Sequence, residues 1–283
     1  MSDMPTLPSE VDARRVFFLH IPKTAGQSVH AALVNAYGAD AVCPARVNEQ
    51  LVRLGVRELN RYRVFSGHLD WSLLDCVRGP RYVFTVLREP RDRILSFYFY
   101  LREQAAKLSG EDLHKPQHQG MKAVLELSPD DYFCGGPPHL RRFLDDHYDN
   151  FYTYYFAGRH YRGRQSLAGQ VQQKLLSREQ LIELALDNLG TLDAVFRVDD
   201  MGRVFGAIRA LSGASIRGDE AYRVNVNAAV AAGERAERLK ALGASTRTFE
   251  RLKQWCTMDE LLWQRAFPAA QSPPSALLVE SAP

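Results

Sequence analysis

A short apolar segment that turns directly into a helix near the start of the chain is the feature that most constrains the fold. Residues Arg15–Ile21 form an almost continuous apolar run, which is typical of a strand buried in a parallel sheet. The turn Pro22–Ser28 follows, and the pattern of Val29–Tyr37 then predicts a helix that ends at Gly38. This order predicts the first strand and helix of an α/β fold.

Three further apolar segments predict strands, with helical patterns between and after them. The predicted strands are Arg63–His68, Tyr82–Leu87 and Ala194–Val198. The predicted helices are Arg91–Gln104 after Pro90, Ser177–Asn188 with a capping box at Ser177 and Gln180, Met201–Leu211, and Thr246–Phe267. Strands that alternate with helices predict a central parallel sheet flanked by helices, the α/β class.

The 283 residues suit one large domain with irregular ends. Residues 1–13 are polar and contain prolines, and residues 268–283 are rich in Pro, Ser and Ala, so both ends are predicted to be flexible. The domain is predicted to span residues 14–267. Periodicity is weak around residues 108–170, which predicts an irregular insertion of loops and short helices over the sheet edge.

Composition excludes several classes of function. The net charge of +3 is too small to indicate a nucleic-acid partner by itself, although most of the basic residues are arginine. The four cysteines show no C-x-x-C spacing, and no His/Cys cluster has the spacing of a zinc site. The chain has no signal-peptide pattern and no run of eighteen apolar residues. We therefore expect a cytoplasmic protein without membrane insertion.

The turn between the first strand and helix has the composition of an anion site. A strand that enters a helix through small residues presents backbone N–H groups and the positive end of the helix dipole to an anion. Gly26 allows close approach, Thr24 and Ser28 add hydroxyl groups, and Lys23 adds a positive charge. The lysine precedes the single glycine, so the turn is not a Walker A loop. An ordinary helix start after a strand remains an open alternative here.

A second candidate anion site follows the predicted strand Tyr82–Leu87. Arg88 stands at the end of this strand, and Ser96 stands about two turns into the helix after it. In a strand–turn–helix unit, both side chains could converge on one anion near the end of the sheet. A salt bridge between Arg88 and Asp92 is the alternative interpretation.

Together, these segments resemble the 5′-phosphosulfate and 3′-phosphate signatures of sulfotransferases that use 3′-phosphoadenosine-5′-phosphosulfate (PAPS). The resemblance is greatest to the heparan sulfate and uronyl 2-O-sulfotransferase branch, whose signatures read like P-K-T-A-x-x-S and R-D-P-x-x-R-x-x-S-Y-Y-Y. Ser66–Leu69 is similar to a His-Gly-His stretch of that branch, and Phe133–Gly135 is similar to its Phe-Cys-Gly element. The resemblance runs in order over Arg14–Phe267 and implies the P-loop-like sulfotransferase fold.

The resemblance implies PAPS as the sulfuryl donor and a hydroxyl group, expected to belong to a carbohydrate, as the acceptor. It places the 3′-phosphate on Arg88 and Ser96. It places the 5′-phosphosulfate on the turn residues Lys23, Thr24, Ala25, Gly26, Gln27 and Ser28. In an in-line displacement, Lys23 and the turn N–H groups would stabilise the charge that grows on the leaving oxygen. The donor has no triphosphate for Mg²⁺ to bridge, so no metal is expected.

The resemblance also places a catalytic histidine at His68, which would serve as the base for the acceptor hydroxyl. Arg223 and Asn225 fall where family members have a loop over the nucleotide. Two departures affect the expected acceptor: Ser66 replaces the first histidine of the His-Gly-His stretch, and His20 stands where the branch has an arginine. The branch's animal members carry a Golgi-type anchor, which is not visible here, so a bacterial source is expected.

The acceptor is expected to lie against the insertion. His20, Arg159 and Arg162 are the candidate acceptor ligands. Arginines and tyrosines would suit an acidic glycan, and they cluster at Arg141, Arg142, Arg159, Arg162, Arg164, Tyr152, Tyr154 and Tyr155. A solvated basic surface is an equal alternative for this cluster. Two other functions also remain open: a P-loop kinase-like phosphotransferase that binds ATP, and a non-enzymatic module that binds polyanions through the arginines.

Overall fold

The computed structural model describes residues 14–115, 118–213 and 232–268. Its sheet has four strands in the order β2-β1-β3-β4, and every adjacent pair is parallel. The strands are β1 (Arg15–Leu19), β2 (Val64–Gly67), β3 (Arg81–Leu87) and β4 (Ala194–Arg197). The predicted strands are confirmed, with ends shifted by one or two residues. The predicted α/β class with a central parallel sheet is confirmed as well.

Helices account for most of the remaining described residues. They are α1 (Gly26–Tyr37), α2 (Asn48–Leu59), α3 (Trp71–Leu74), α4 (Pro90–Ala105), α5 (Gly110–Leu113), α6 (Gln119–Glu126), α7 (Pro129–Cys134), α8 (Pro138–Tyr148), α9 (Phe151–Gly158), α10 (Gly163–Gln172), α11 (Arg178–Gly190), α12 (Met201–Ser212), α13 (Ala232–Ala241) and α14 (Thr246–Ala266), with a 3₁₀ turn at Ala39–Ala41. The capping box of α11 is confirmed, because Ser177 and Gln180 exchange both hydrogen bonds.

Alternate side chains of the strands face two separate hydrophobic clusters, as the period of a strand requires. Val16 and Phe18 of β1 pack against α1 and α12, whereas Phe17 and Leu19 pack against α9 and α11. A third cluster joins α4 to α6, α7, α8 and α14. Helices therefore cover both faces of the sheet, which explains why the strands are almost entirely apolar.

The segment around residues 108–170 is more regular than expected. It folds into helices, and α9 is buried on every side from Phe151 to Ala157. A helix that is buried all round has no polar face, so its sequence shows no helical periodicity. Helix α2 was not predicted, because Gly55 interrupts its pattern and has φ of 72° inside it. The predicted arm (residues 1–13) and residues 269–283 of the predicted tail lie outside the described residues.

The strand ends bring the candidate residues to one edge of the sheet. Leu19 of β1 pairs with Gly67 of β2 on one side and with Thr85 of β3 on the other. The residues that follow these strands, His20, His68 and Arg88, therefore meet at the carboxyl edge. Ligands of open parallel sheets bind at this edge.

Candidate functional site

The turn before α1 is built to expose the start of that helix. Lys23 and Ala25 have φ values of 72° and 63°, which lie in the left-handed region. The Thr24 hydroxyl donates to the Ile21 carbonyl at 2.8 Å, so its proton holds the turn together. Helix α1 has no side-chain cap and no acidic residue in its first turn. Its first N–H groups and its dipole are therefore directed at the position where an anion would lie.

Two glycines allow unusually close packing at this edge. A Cβ atom on Gly26 would lie 1.8 Å from Nε2 of His20, so the His20 ring lies directly against the first turn of α1. A Cβ atom on Gly67 would lie 2.3 Å from the Arg46 carbonyl oxygen. That carbonyl accepts the backbone N–H of His68 at 2.8 Å. Both glycines therefore position the neighbouring histidines.

His20 and His68 form a stacked pair, with ring centroids 4.4 Å apart and planes inclined by 23°. Nδ1 of His68 lies 2.8 Å from the His20 carbonyl oxygen. A carbonyl only accepts, so Nδ1 carries a proton and the neutral ring keeps its lone pair on Nε2. Burial lowers the pKa of His68, and the hydrogen bond to His20 partly opposes this effect. Burial and the positive charge of a protonated His68 lower the pKa of His20 well below its usual value.

Tyr161 also belongs to this part of the site, and it was not predicted. The Tyr161 ring centroid lies 5.1 Å from that of His68. A further histidine, His147, packs on Phe97 and Phe143, and a positive charge on it would lower the pKa of His68. Both residues come from the segment around 108–170, where no motif marks them. We call His20, His68 and Tyr161 the imidazole side of the site.

The Lys23 side chain points towards α4. Its Nζ lies 3.8 Å from the centroid of the Tyr100 ring, in the geometry of a cation–π contact. Burial lowers the pKa of Lys23 to about 8, the positive charges of Arg88 and Arg235 add to this effect, and Glu103 opposes it. The ammonium group is therefore held in a partly desolvated place beside the turn.

Hydrogen bonds hold both the side chain and the backbone of Arg88. Its Nε donates to the Lys23 carbonyl at 2.8 Å, and its Nη1 donates to Oδ2 of Asp92 at 2.7 Å. The hydroxyl of Tyr152 donates to the Arg88 carbonyl at 2.9 Å and accepts from the Arg88 N–H at 3.1 Å. The salt bridge that we considered as an alternative role is therefore present, while the guanidinium still lies beside Lys23. We call Lys23, Arg88, Asp92, Ser96 and Arg235 the cationic side of the site.

Ser96 lies one turn after Asp92 on α4, on the same face of that helix. Arg235 joins the same face, because its Nη1 donates to both carboxylate oxygens of Asp92, at 2.7 and 3.0 Å. Arg235 belongs to a helix with no recognisable motif, and the sequence analysis missed it. The predicted Arg223 and Asn225 lie outside the described residues.

The predicted acceptor arginines, Arg159 and Arg162, form ion pairs with acidic side chains. Arg159 pairs with Asp75 at 2.9 Å and lies over the Trp71 ring, and Arg162 is largely exposed beside Glu49. The tyrosines 152, 154 and 155 are buried in the core, with 0%, 6% and 1% of their surface exposed. The expectation that they stack on sugar rings was therefore wrong. Their position on the buried helix α9 explains why.

The described part of the chain shows neither a cluster of metal ligands nor a helix that could span a membrane. Within residues 14–115, 118–213 and 232–268, no group of three His, Cys, Asp or Glu side chains is arranged to hold a metal ion. In the same ranges, every helix is too short or too polar to cross a bilayer.

Comparison with known proteins agrees with this geometry. No curated protein sequence matches the chain. Residues 11–181, more than half of the chain, match the model of the sulfotransferase family. The matched range contains the turn before α1, the histidine pair, Arg88 and Ser96. The match concerns the family as a whole, so the resemblance to the 2-O-sulfotransferase branch stays a prediction. The chain belongs to the sulfotransferase family.

Proposed function

We propose that the chain transfers a sulfuryl group from PAPS to a hydroxyl group of a carbohydrate acceptor. The observation that carries this proposal is the meeting of two unlike groups at one sheet edge. Lys23 supplies a positive charge in the turn after β1, and His68, directly after the neighbouring strand β2, keeps a lone pair on Nε2. Transfer of a charged group to a hydroxyl needs both a cation at the leaving oxygen and a base at the nucleophile.

The residues present fit a nucleotide with two anionic ends. The turn at Lys23–Gly26 has no acidic residue in the helix turn that follows it, and the absence of a side chain at Gly26 makes room for the His20 imidazole. Arg88 and Ser96 offer a second place for an anion on the α4 side. When bound there, PAPS would supply the activated sulfuryl group. Gln27 is exposed and Ser28 is buried at the helix start, so Ser28 would contribute mainly to the shape of the turn.

Lys23 would act where negative charge develops. Transfer would form a bond from the acceptor oxygen to sulfur and break the bond from sulfur to the bridging oxygen, which would keep the electron pair and its negative charge. The Lys23 ammonium can donate a hydrogen bond to this oxygen, and the first N–H groups of α1 can donate to the phosphate oxygens. Because the lysine is partly desolvated, its interaction with the new charge is stronger than it would be in water.

His68 would accept the proton of the acceptor hydroxyl at Nε2. The Nδ1–H bond to the His20 carbonyl fixes the tautomer and would stabilise the imidazolium that forms. Tyr161 is only partly buried and lies beside His68, so it is proposed to line the acceptor side of the site. His20, Arg159 and Arg162 are proposed to contact the acceptor further out.

The test combines a binding assay and an activity assay on the purified chain. A ligand that binds only the native state raises the melting temperature. We expect adenosine 3′,5′-bisphosphate (PAP, the desulfonated donor) to raise it more than ATP with Mg²⁺ does. We also expect ³⁵S from labelled PAPS to appear on at least one polysaccharide of an acceptor panel. A larger shift with ATP–Mg²⁺ and no labelled product would favour a phosphotransferase. Salt-sensitive binding of polyanions without a PAP response would favour a binding module.

A further inference from the structure

Helix α13 packs along α4 and brings an additional arginine to the cationic side. Nη1 of Arg235 donates to Oδ1 and Oδ2 of Asp92, at 2.7 and 3.0 Å. One turn further along α13, the Arg238 guanidinium lies 4.6 Å from the centroid of the Phe99 ring. Leu239 is fully buried in the cluster that contains Leu95 of α4. This hydrophobic packing holds α13 against α4 in addition to the ion pair between Arg235 and Asp92.

The two contact points lie on either side of Ser96. Asp92, Ser96 and Phe99 are separated by one helical turn each, so they share one face of α4. Because Arg235 is at Asp92 and Arg238 is at Phe99, α13 runs beside Ser96. The guanidiniums of Arg235 and Arg88 share Asp92, one turn before Ser96 on α4.

Two guanidiniums share one carboxylate in this group. Asp92 supplies one negative charge to both arginines, and the side chains of Asp92, Arg88 and Arg235 are 8%, 16% and 11% exposed. Lys23 adds another cation, and both arginines depress its pKa, whereas Glu103 raises it. Positive charges that lie close together repel one another. A dianion at this place would offset that repulsion, and two guanidiniums suit the oxygens of a phosphate.

From this we infer that Arg235 is a ligand of the donor's 3′-phosphate, together with Arg88 and Ser96, and that Asp92 positions both guanidiniums for it. The inference rests on the proposed function. In the described part of the chain, Nη2 of Arg88 makes no hydrogen bond, so it is available to the same phosphate. The competing role for Arg235 is purely structural, as the ion pair that holds α13 on α4.

Arg235→Gln and Arg238→Gln separate these two roles. Both variants remove a guanidinium from α13, but only Arg235 lies on Asp92. Calorimetry would give the dissociation constants of PAP and of adenosine 5′-phosphate, and thermal melting would report stability. We expect Arg235→Gln to weaken PAP binding by about 10- to 100-fold, as expected for a charged hydrogen bond, and to change adenosine 5′-phosphate binding little. Arg238→Gln should keep the wild-type preference for PAP.

The outcomes distinguish the inference from the proposed function. If Arg235→Gln keeps the wild-type preference for PAP and only lowers the melting temperature, Arg235 is structural and the inference is wrong. If Arg235→Gln does not fold, Arg235→Lys is the second variant, because it keeps a positive charge beside Asp92 but lacks the planar guanidinium. It should still lower the preference for PAP, and an unchanged preference overturns the inference. A wild-type chain that binds no PAP overturns the proposed function, and the inference with it.

Discussion

The cationic side and the imidazole side are both partly buried, yet burial leaves them in opposite protonation states. Desolvation lowers the pKa of Lys23 and of His68 alike, because both groups are cations when protonated. Lys23 starts high and still titrates at about 8, so it stays charged at neutral pH. His68 starts near neutrality and becomes a neutral ring. One physical effect therefore gives a cation and a neutral base at the same edge of the sheet.

The partners of each side reinforce this difference. Arg88 and Arg235 share the Asp92 carboxylate, and Tyr100 offers its ring face to the Lys23 ammonium. His68 instead has rings and a backbone carbonyl around it. An arrangement that separates the protonation states of two groups is typical of acid–base catalysis. Variants on each side should therefore fail in different ways.

The largest effect is expected from His68→Ala on the imidazole side. Without a base at Nε2, turnover should fall by about 10²–10⁴, while the affinity for PAP stays near that of the wild type. Single-substrate kinetics at saturating PAPS and calorimetry with PAP would measure the two quantities. His147→Ala is the matched control, since this neighbouring histidine bonds through Nδ1 to Phe143 of its own helix and should lose much less activity. Near-full activity of His68→Ala would make His20 the next candidate for the base.

A smaller loss is expected from Lys23→Ala on the cationic side. Its contact with the leaving oxygen strengthens in the transition state, and removal of such a donor costs about 10²–10³ in rate. PAP affinity should fall by a smaller factor, because the start of α1 and Arg88 remain. Turnover at saturating PAPS is the measurement. An unchanged turnover number would exclude the proposed role of Lys23 and leave the comparison of the two sides without its cation.

Sequence patterns were sufficient for the residues that follow buried strands. His20 and His68 lie at the ends of apolar runs and Arg88 directly follows one, and parallel strands bring such residues to a common edge. The structure places the rings of His20 and His68 in contact and Arg88 against the Lys23 carbonyl. The position of these residues relative to the predicted strands was therefore sufficient to place them at one edge of the sheet.

Contacts between distant segments could not be predicted in this way. The sequence analysis placed Tyr152 among the acceptor residues, but its hydroxyl fixes the backbone of Arg88, sixty-four positions away in the chain. Tyr161 and Arg235 reach the site only through contacts between distant segments, and they stand in no motif. A buried helix such as α9 also hides its own periodicity. The acceptor side is therefore the part that sequence reasoning described least well.

The smallest expected effect sharpens the comparison through pH. Activity needs a neutral His68 and a charged Lys23, so kcat/KM for PAPS should be bell-shaped. Burial lowers the pKa of His68, so the acidic limb should lie below pH 6.5. Lys23 has a pKa of about 8, so the rate should fall about tenfold per pH unit above it. We use kcat/KM because it reports the groups of the unliganded enzyme.

Tyr100→Leu should move only the alkaline limb. The cation–π contact at 3.8 Å stabilises the charged lysine, and a contact of this kind is worth about 0.5–2 kcal/mol. Its loss should lower the pKa of Lys23 by roughly 0.4–1.5 units and shift the limb by the same amount, since 1.36 kcal/mol corresponds to one unit. At pH 7 the rate would fall only about 1.1- to 4-fold, so the full profile is needed. Tyr100→Phe keeps the ring and should keep the limb. If both variants shift it equally, the hydroxyl or the packing of α4 is responsible. If neither does, the ring does not hold the lysine, and the charge on the cationic side is set by burial and the neighbouring arginines alone.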